Sequence, residues 1–405
     1  MSLIFHPERH TPLDAPAWDA DAARATVQEI VSTCEAAARP DGTWPVHPRD
    51  DAGDTPDGGF KGLYLGGAGL LWALWWLRRQ GHASLPWDPA ARVDALAAAW
   101  QRAPDNGEPL PSWFLGEAGL RLVQWRLTGR DDAASRLLAV AAANRHHPSQ
   151  EALWGAPGTM LGAWHLAHLA NDPRAVDELR ANVSAVMAGL HRHDDSGCQV
   201  WTQAIHGREV IYLGAGHGLA GNLHALLLAS AWLPEAERAA LQALAIDTLS
   251  RTARREGALA NWPPGLYTPR PGGALALLQW CHGAPGILCA MNALPSNLDA
   301  EFEALLAAAG EAIWQAGPLA KGPGVCHGTA GNALALLALH ARQGDERWLQ
   351  RARAFAMHAI GQMRALQHQH GQPWHGLWTG DMGLACVLAQ CLVGRYQGVP
   401  TLDLA

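Results

Sequence analysis

The apolar positions of the chain fall into a recurring pattern: Gly-x-x-Gly, then a stretch in which nearly every residue is hydrophobic. Copies begin at Gly66, Gly116, Gly155, Gly218, Gly283, Gly328 and Gly380, with start-to-start separations of 50, 39, 63, 65, 45 and 52 residues. Stretches such as GLLWALWWL, GNLHALLLASAWL and NALALLALHA predict helices that are apolar, and therefore buried, on every side. Between them lie amphipathic segments with one wet face, among them Asp88 to Gln101 and Leu349 to Met363. Each interval has room for one helix out, a loop and one helix back. The pattern predicts an all-α fold, an α/α toroid (double-layer barrel) of seven helical hairpins, with Gly-x-x-Gly at the starts of the inner helices. The repeats run from about residue 60 to 395, and residues 1–55 supply an N-terminal outer helix and loop. No linker interrupts the pattern, so residues 1–405 read as one domain. The glycines read as small residues that let the inner helices crowd together at the narrow centre.

Composition agrees with packed helices and removes some functions. Ala and Leu dominate, and few runs are rich in Val, Ile and Thr, so sheet is disfavoured. A net charge of −7 argues against non-specific nucleic-acid or anionic-membrane binding, which want a basic face. The apolar run from Gly62 to Leu77 is too short and glycine-rich for a membrane span and reads as a buried helix. The seven cysteines are odd in number and irregularly spaced, and the start MSLIFHPERHTPLD lacks the pattern of a signal peptide. A reducing cytoplasm and a monomer without disulfides are expected. Cys34, Cys289, Cys386 and Cys391 sit in apolar helical patterns as core residues, and Cys198 has no evident role. His146-His147 and His368-Gln369-His370 lie in polar stretches and read as solvated.

The remaining polar residues become informative on the repeat. In a closed toroid the residues just before each inner helix share one rim. Counted from the first glycine of its copy, Cys281 stands at minus two in the fifth and Cys326 at minus two in the sixth. His327 stands at minus one in the sixth copy, His217 at minus one in the fourth and Glu151 at minus four in the third. A lone buried Cys or His is ordinarily structural. Two thiols and two imidazoles at matched offsets are hard to ascribe to packing. Cys281, Cys326 and His327 form a soft and borderline donor set suited to Zn²⁺, and three protein ligands leave a fourth position open, as catalytic zinc sites do. His282 is a competing ligand that, as a sequence neighbour of Cys281, is expected to line the pocket instead.

With these residues in hand, the chain resembles the lanthionine synthetase C-like family over essentially its full length. The specific matches are Trp280-Cys281-His282-Gly283-Ala284-Pro285-Gly286 and the run from Lys321 to Asn332 that contains Cys326-His327-Gly328. Supporting matches are the segment from Gly214 to Gly221 and the segment from Trp262 to Tyr267. The wording is closer to the stand-alone, eukaryotic-type branch than to the peptide cyclases. The resemblance implies zinc on Cys281, Cys326 and His327, acid/base duty for His217, and a supporting carboxylate at Glu151, where peptide cyclases tend to have Asp. It also implies that Lys321 contacts glutathione, as the matching Lys does in the glutathione-using relatives. Tyr212, Trp280 and His282 are expected to help bind substrate. Peptide cyclases carry an Arg four positions before the first zinc Cys, and here that position is Leu277.

The activity so implied is zinc-dependent addition of a thiol, from glutathione or a peptide cysteine, to dehydroalanine or dehydrobutyrine, forming a thioether. The partners would be a dehydroamino-acid-containing peptide or protein and the thiol donor. Two readings compete: cyclisation of a precursor peptide dehydrated by a separate enzyme, and a non-catalytic zinc-stabilised scaffold that binds glutathione or a protein. An α/α-barrel glycosidase would need a carboxylate pair where this rim carries thiols and imidazoles.

Overall fold

The computed structural model describes residues 4–14, 16–51, 53, 55–56, 58–205, 207–267 and 276–403. The ends of the 1–405 span and residues 1–3 of the N-terminal sequence lie outside the described residues. In chain order the helices are α1 (Ala20–Ala37), α2 (Gly67–Arg79), α3 (Ala90–Arg102), α4 (Glu117–Thr128), α5 (Asp131–Asn144), α6 (Ala156–Ala170) and α7 (Pro173–Ala188). They continue as α8 (Leu219–Ala229), α9 (Glu235–Thr252), α10 (Ala284–Ala290), α11 (Ala300–Ala316), α12 (Thr329–Gln343), α13 (Glu346–His370) and α14 (Asp381–Val393). The even-numbered helices follow the seven Gly-x-x-Gly starts and form the inner layer. Each packs on the next, and α14 packs on α2, so the ring closes. The odd-numbered helices form the outer layer, with α1 docked on α14. The seventh pair is thus made from the two ends of the chain. The all-α toroid is the observed architecture.

The two layers start their helices differently. Outer helices α1, α7, α11 and α13 begin at Asp19, Asp172, Asp299 and Asp345, whose carboxylates accept from free N–H groups of the first turn. The inner helices begin at glycine, without a side-chain cap. Their preceding loops curl back instead. The first N–H of the helix donates to a carbonyl seven residues earlier in five copies, as in Glu117 to Leu110 at 2.8 Å and Thr329 to Gly322 at 2.9 Å. In the fifth copy the Asn261 side chain takes that place, accepting from Ala284 N–H at 2.8 Å.

That return path explains the second glycine of every copy. At Gly69, Gly119, Gly158, Gly221, Gly286, Gly331 and Gly383, a Cβ would collide with the carbonyl oxygen of the residue six positions earlier. On its other side it would press on a residue of the preceding copy, such as Ala215 Cβ at 2.6 Å for Gly286 and, closing the ring, Leu377 Cβ at 3.1 Å for Gly69. Crowding between inner helices is therefore the lesser reason for the glycines. The close approach of each helix to its own loop comes first.

Sheet is present in a minor form that the residue pattern did not signal. Strands β1 (His191–Arg192) and β2 (Gln199–Val200), β3 (Gln203–Ile205) and β4 (Arg208–Val210), and β5 (Arg254–Glu256) and β6 (Leu259–Asn261) form three antiparallel hairpins. They occupy the two longest repeat intervals, of 63 and 65 residues. Short polar strands such as Arg-Glu-Val carry no clear alternation, which is why they escaped the pattern. No helix among the described residues is long and apolar enough to cross a membrane.

Two alanine substitutions separate packing from propensity. Gly331→Ala is expected to cost at least about 2 kcal/mol, because Val325 O blocks the new methyl group. Gly361→Ala, in the exposed middle of α13 with nothing near the added carbon, is expected to stabilise by about 0.5–1 kcal/mol. Chemical denaturation of the two variants checks both signs.

Candidate metal centre and rim

The site grows out of the loop positions two residues before each inner-helix glycine. There the backbone N–H of one copy donates to the carbonyl of the same position in the next. Tyr64 donates to Phe114 at 3.0 Å, Gly216 to Cys281 at 3.2 Å, Cys281 to Cys326 at 3.1 Å and Cys326 to Trp378 at 2.8 Å. This belt sets the fifth and sixth copies side by side, so that residues 45 apart in sequence present adjacent sulfurs. Glycine at 216 makes room for them, since a Cβ there would lie 2.8 Å from that of Cys281. Large aromatic rings fill three of the other belt positions, at Tyr64, Phe114 and Trp378. Tyr64 stacks on Trp378 at 6.3 Å, Phe114 packs edge-on to Trp378 at 5.0 Å, and Trp280 closes from beside at 4.6 Å.

The ligand atoms of Cys281, Cys326 and His327 all lie within 4.8 Å of one another. Ligands of a tetrahedral zinc stand about 3.5–4 Å apart, so this donor set fits Zn²⁺ after a small contraction. The electrostatics also fit. The hydrogen bond from Cys326, aided by His327, holds the Cys281 thiol well below its ordinary range despite burial. Cys326 is driven well above it by Cys281 and by burial. Without metal the pair therefore behaves as one thiolate sharing the proton of its neighbour, a poised start for metal binding. His282 falls outside the triad. Its ring stacks on His217 at 5.7 Å and meets Tyr212 at 5.4 Å, and burial lowers its pKa.

Glu151 and His217 meet as the shared rim position suggests, with His217 Nδ1 3.0 Å from a Glu151 carboxylate oxygen. Glu151 has no exposed surface and also accepts from the N–H groups of Leu153 at 2.9 Å and Trp154 at 2.7 Å, so its orientation is fixed. Burial pulls the His217 pKa down. Its hydrogen bond and charge contact with Glu151, together with the Cys281 thiolate, outweigh that and raise it above 6.5. Tyr212 lies beside His217 at 6.0 Å and meets the exposed Tyr267 edge-on at 5.9 Å. Trp280 is only 3% exposed and belongs to the interior wall behind the site. Cys198 is fully buried away from the rim, donating to Ser196 O at 3.7 Å. Cys34, Cys289, Cys386 and Cys391 are buried in the core.

Lys321 is exposed, and its charge is felt by Cys326. Its carbonyl accepts from Arg49 Nη2 at 2.7 Å. On the opposite flank Arg9 Nη2 donates to Gln279 Oε1 at 3.4 Å, and the Gln279 amide donates to Cys281 Sγ at 3.0 Å. Tyr64 lies beside the two thiols, and burial together with the charges of Cys326 and Cys281 raises its pKa. Asp50, its pKa raised by burial, accepts from Thr379 Oγ1 at 3.0 Å and from Trp374 Nε1, and its charge reaches His327. Arg9, Arg49, Asp50, Tyr64 and Gln279 were not among the sequence candidates. Tyr64 stands at the offset of Cys281 and Cys326, and Gln279 at that of Glu151, so the repeat carried their signal. Arg9, Arg49 and Asp50 come from N-terminal loops outside the repeat and carried none.

Comparison with known proteins agrees with this geometry. Residues 61–404 match the family described as "Lanthionine synthetase C-like protein". The chain is 35% identical over 147 residues to Glutathione S-transferase LANCL1 of Danio rerio, covering 36% of this chain and 34% of that one. It is 31% identical over 249 residues to LanC-like protein GCL1 of Arabidopsis thaliana, covering 59% of this chain and 54% of that one. The matched stretches thus span about a third and about half of the length of these two relatives. Nisin cyclase shares the fold, with a TM-score of 0.62 at 15% identity over 92% of this chain and 94% of that one. By its residues, its fold and this match, the chain belongs to the lanthionine synthetase C-like family.

Proposed function

We propose that the chain adds a thiol to the β-carbon of a dehydroalanine or dehydrobutyrine residue, forming a thioether, with Zn²⁺ held by Cys281, Cys326 and His327. The observation that carries this reading is the placement of the Glu151–His217 pair on the same rim as the Cys/Cys/His triad, with His217 in charge contact with Cys281. Bound there, Zn²⁺ would lower the pKa of an incoming thiol and keep it as a thiolate near neutral pH. His217 uses Nδ1 on Glu151, which leaves Nε2 to face the reacting atoms. As the new C–S bond forms, the alkene electron pair moves toward the carbonyl, and His217 gives its proton to the α-carbon. The proton lost by the thiol restores the imidazolium through solvent. Tyr212 and His282 flank the imidazole and would hold the peptide, while Trp280 backs the wall.

The cations favour a small anionic donor. Lys321, Arg49 and Arg9 gather around the triad, where the carboxylates of glutathione would find partners. Leu277 stands where peptide cyclases have Arg, which removes one support for ring closure on a precursor peptide. The name of the Danio rerio relative points the same way. The non-catalytic scaffold shares every metal and glutathione feature of this reading and differs only in yielding no adduct.

Zinc content is tested first: Cys281→Ala and His327→Ala are expected to lose the metal by elemental analysis while keeping their helical circular dichroism. Mass spectrometry of a dehydroalanine peptide incubated with glutathione should then show the adduct with wild type. His217→Asn should slow it about 10²–10⁴-fold. Full zinc occupancy with no adduct from glutathione or from an internal peptide cysteine would overturn the proposed activity.

The pH dependence follows from His217. Because its pKa is raised, the proton-donating form survives above pH 6.5 and is lost as pH climbs through the raised value. Glu151→Gln removes the main upward influence and leaves burial dominant, so the alkaline limb of kcat/KM is expected to move to lower pH. Imidazole titration by NMR should move with it. For the donor, Lys321→Ala and Arg49→Ala are each expected to raise the KM for glutathione about tenfold, worth about 1.4 kcal/mol, and to leave the KM for uncharged 2-mercaptoethanol nearly unchanged.

A further inference from the structure

With a substrate thiol bound, a Cys/Cys/His site would hold three sulfurs close to one electrophilic alkene, and only one of them is meant to react. One of the two protein sulfurs carries a visible restraint. Cys281 Sγ accepts from Gln279 Nε2 at 3.0 Å. We propose that Gln279 is a positioning residue that holds a hydrogen bond on the Cys281 thiolate, making it a poor nucleophile beside the substrate thiolate that attacks. The proposal rests on the zinc-dependent thiol addition described above.

The orientation of the Gln279 amide is set by its neighbours. Arg9 has only donors to offer, so the Gln279 group that faces it at 3.4 Å is the amide oxygen. That places the amide NH₂ on Cys281. Gln279 is 8% exposed, and its side chain has little freedom to exchange these partners. A hydrogen bond to a thiolate withdraws charge from the lone pair that would attack carbon, and charge-assisted bonds of this kind are among the stronger ones. Such neighbours of metal ligands also strengthen the hold on the metal.

N-ethylmaleimide tests this directly, because its activated alkene resembles that of a dehydroamino acid. A protein thiolate that reacts donates its lone pair to an alkene carbon to form the C–S bond. The alkene pair shifts to the neighbouring carbon, which takes a proton from water, and the metal site loses that ligand. Wild type and Gln279→Leu are loaded with zinc, checked for metal content, and treated with the reagent, and the labelled cysteines are mapped by peptide mass. Gln279→Leu is expected to speed labelling of Cys281 about tenfold with little change at Cys326. Buried Cys386 and Cys391 report any loosening of the fold and should stay unlabelled in both. The Co²⁺-substituted proteins add a reading independent of activity, a shift of the sulfur-to-metal charge-transfer band in the variant. Labelling of Cys281 that is unchanged in zinc-loaded Gln279→Leu, or that rises together with Cys386, overturns this inference alone. A wild type that holds no zinc overturns the reading beneath it instead.

Discussion

In all seven copies of the repeat, the carbonyl six residues ahead of the second glycine lies directly over the first turn of the inner helix. No Cβ fits in that space, and the same return of the loop supplies the acceptors that the helix start lacks. Because every loop folds back in the same way, every copy presents equivalent positions at equivalent heights around the ring. The backbone belt through Gly216, Cys281, Cys326 and Trp378 then joins neighbouring copies. The Cys/Cys/His arrangement is a by-product of this order. Place a thiol at the belt position in two consecutive copies, and their sulfurs must meet.

What the belt brings together, burial makes chemically active. Two thiols in low-dielectric surroundings next to an imidazole cannot all stay neutral at equal cost, so the proton settles on Cys326 and charge on Cys281. His217 shows the opposite balance. Desolvation acts against its charge, but a fully buried carboxylate at 3.0 Å and a nearby thiolate favour it more. The same protein interior therefore favours negative charge on the Cys281 sulfur and positive charge on the His217 imidazole, one repeat apart on the same rim.

Much of this was legible in the chain before folding. The Gly-x-x-Gly spacing marked all seven inner helices, and counting back from each glycine placed Cys281, Cys326, His327, His217 and Glu151 on a common rim. The same count would have reached Tyr64 and Gln279, which share offsets with Cys281 and Cys326 and with Glu151. It passed over them because Tyr and Gln are not ligands and draw no notice without a partner. The three β-hairpins, with strands of two or three residues, were too short for any periodicity to register.

Sequence alone determined the number and order of helices, which of them are interior, and the kinds of side chain at the rim, since these depend on local pattern and on residue type at a repeating offset. Tertiary structure alone decided the rest. It set α1 against α14 to complete the outer layer, and it brought Arg9, Arg49 and Asp50 from non-repeating loops to the flanks of the triad. It also sent His327 to the thiols and His282 to Tyr212 and His217, although both stand at the same offset. Those outcomes depend on contacts between residues hundreds of positions apart, 329 for Asp50 and Thr379, and no local rule encodes which distant loop will close over a given site. The ring must shut before its neighbours are chosen.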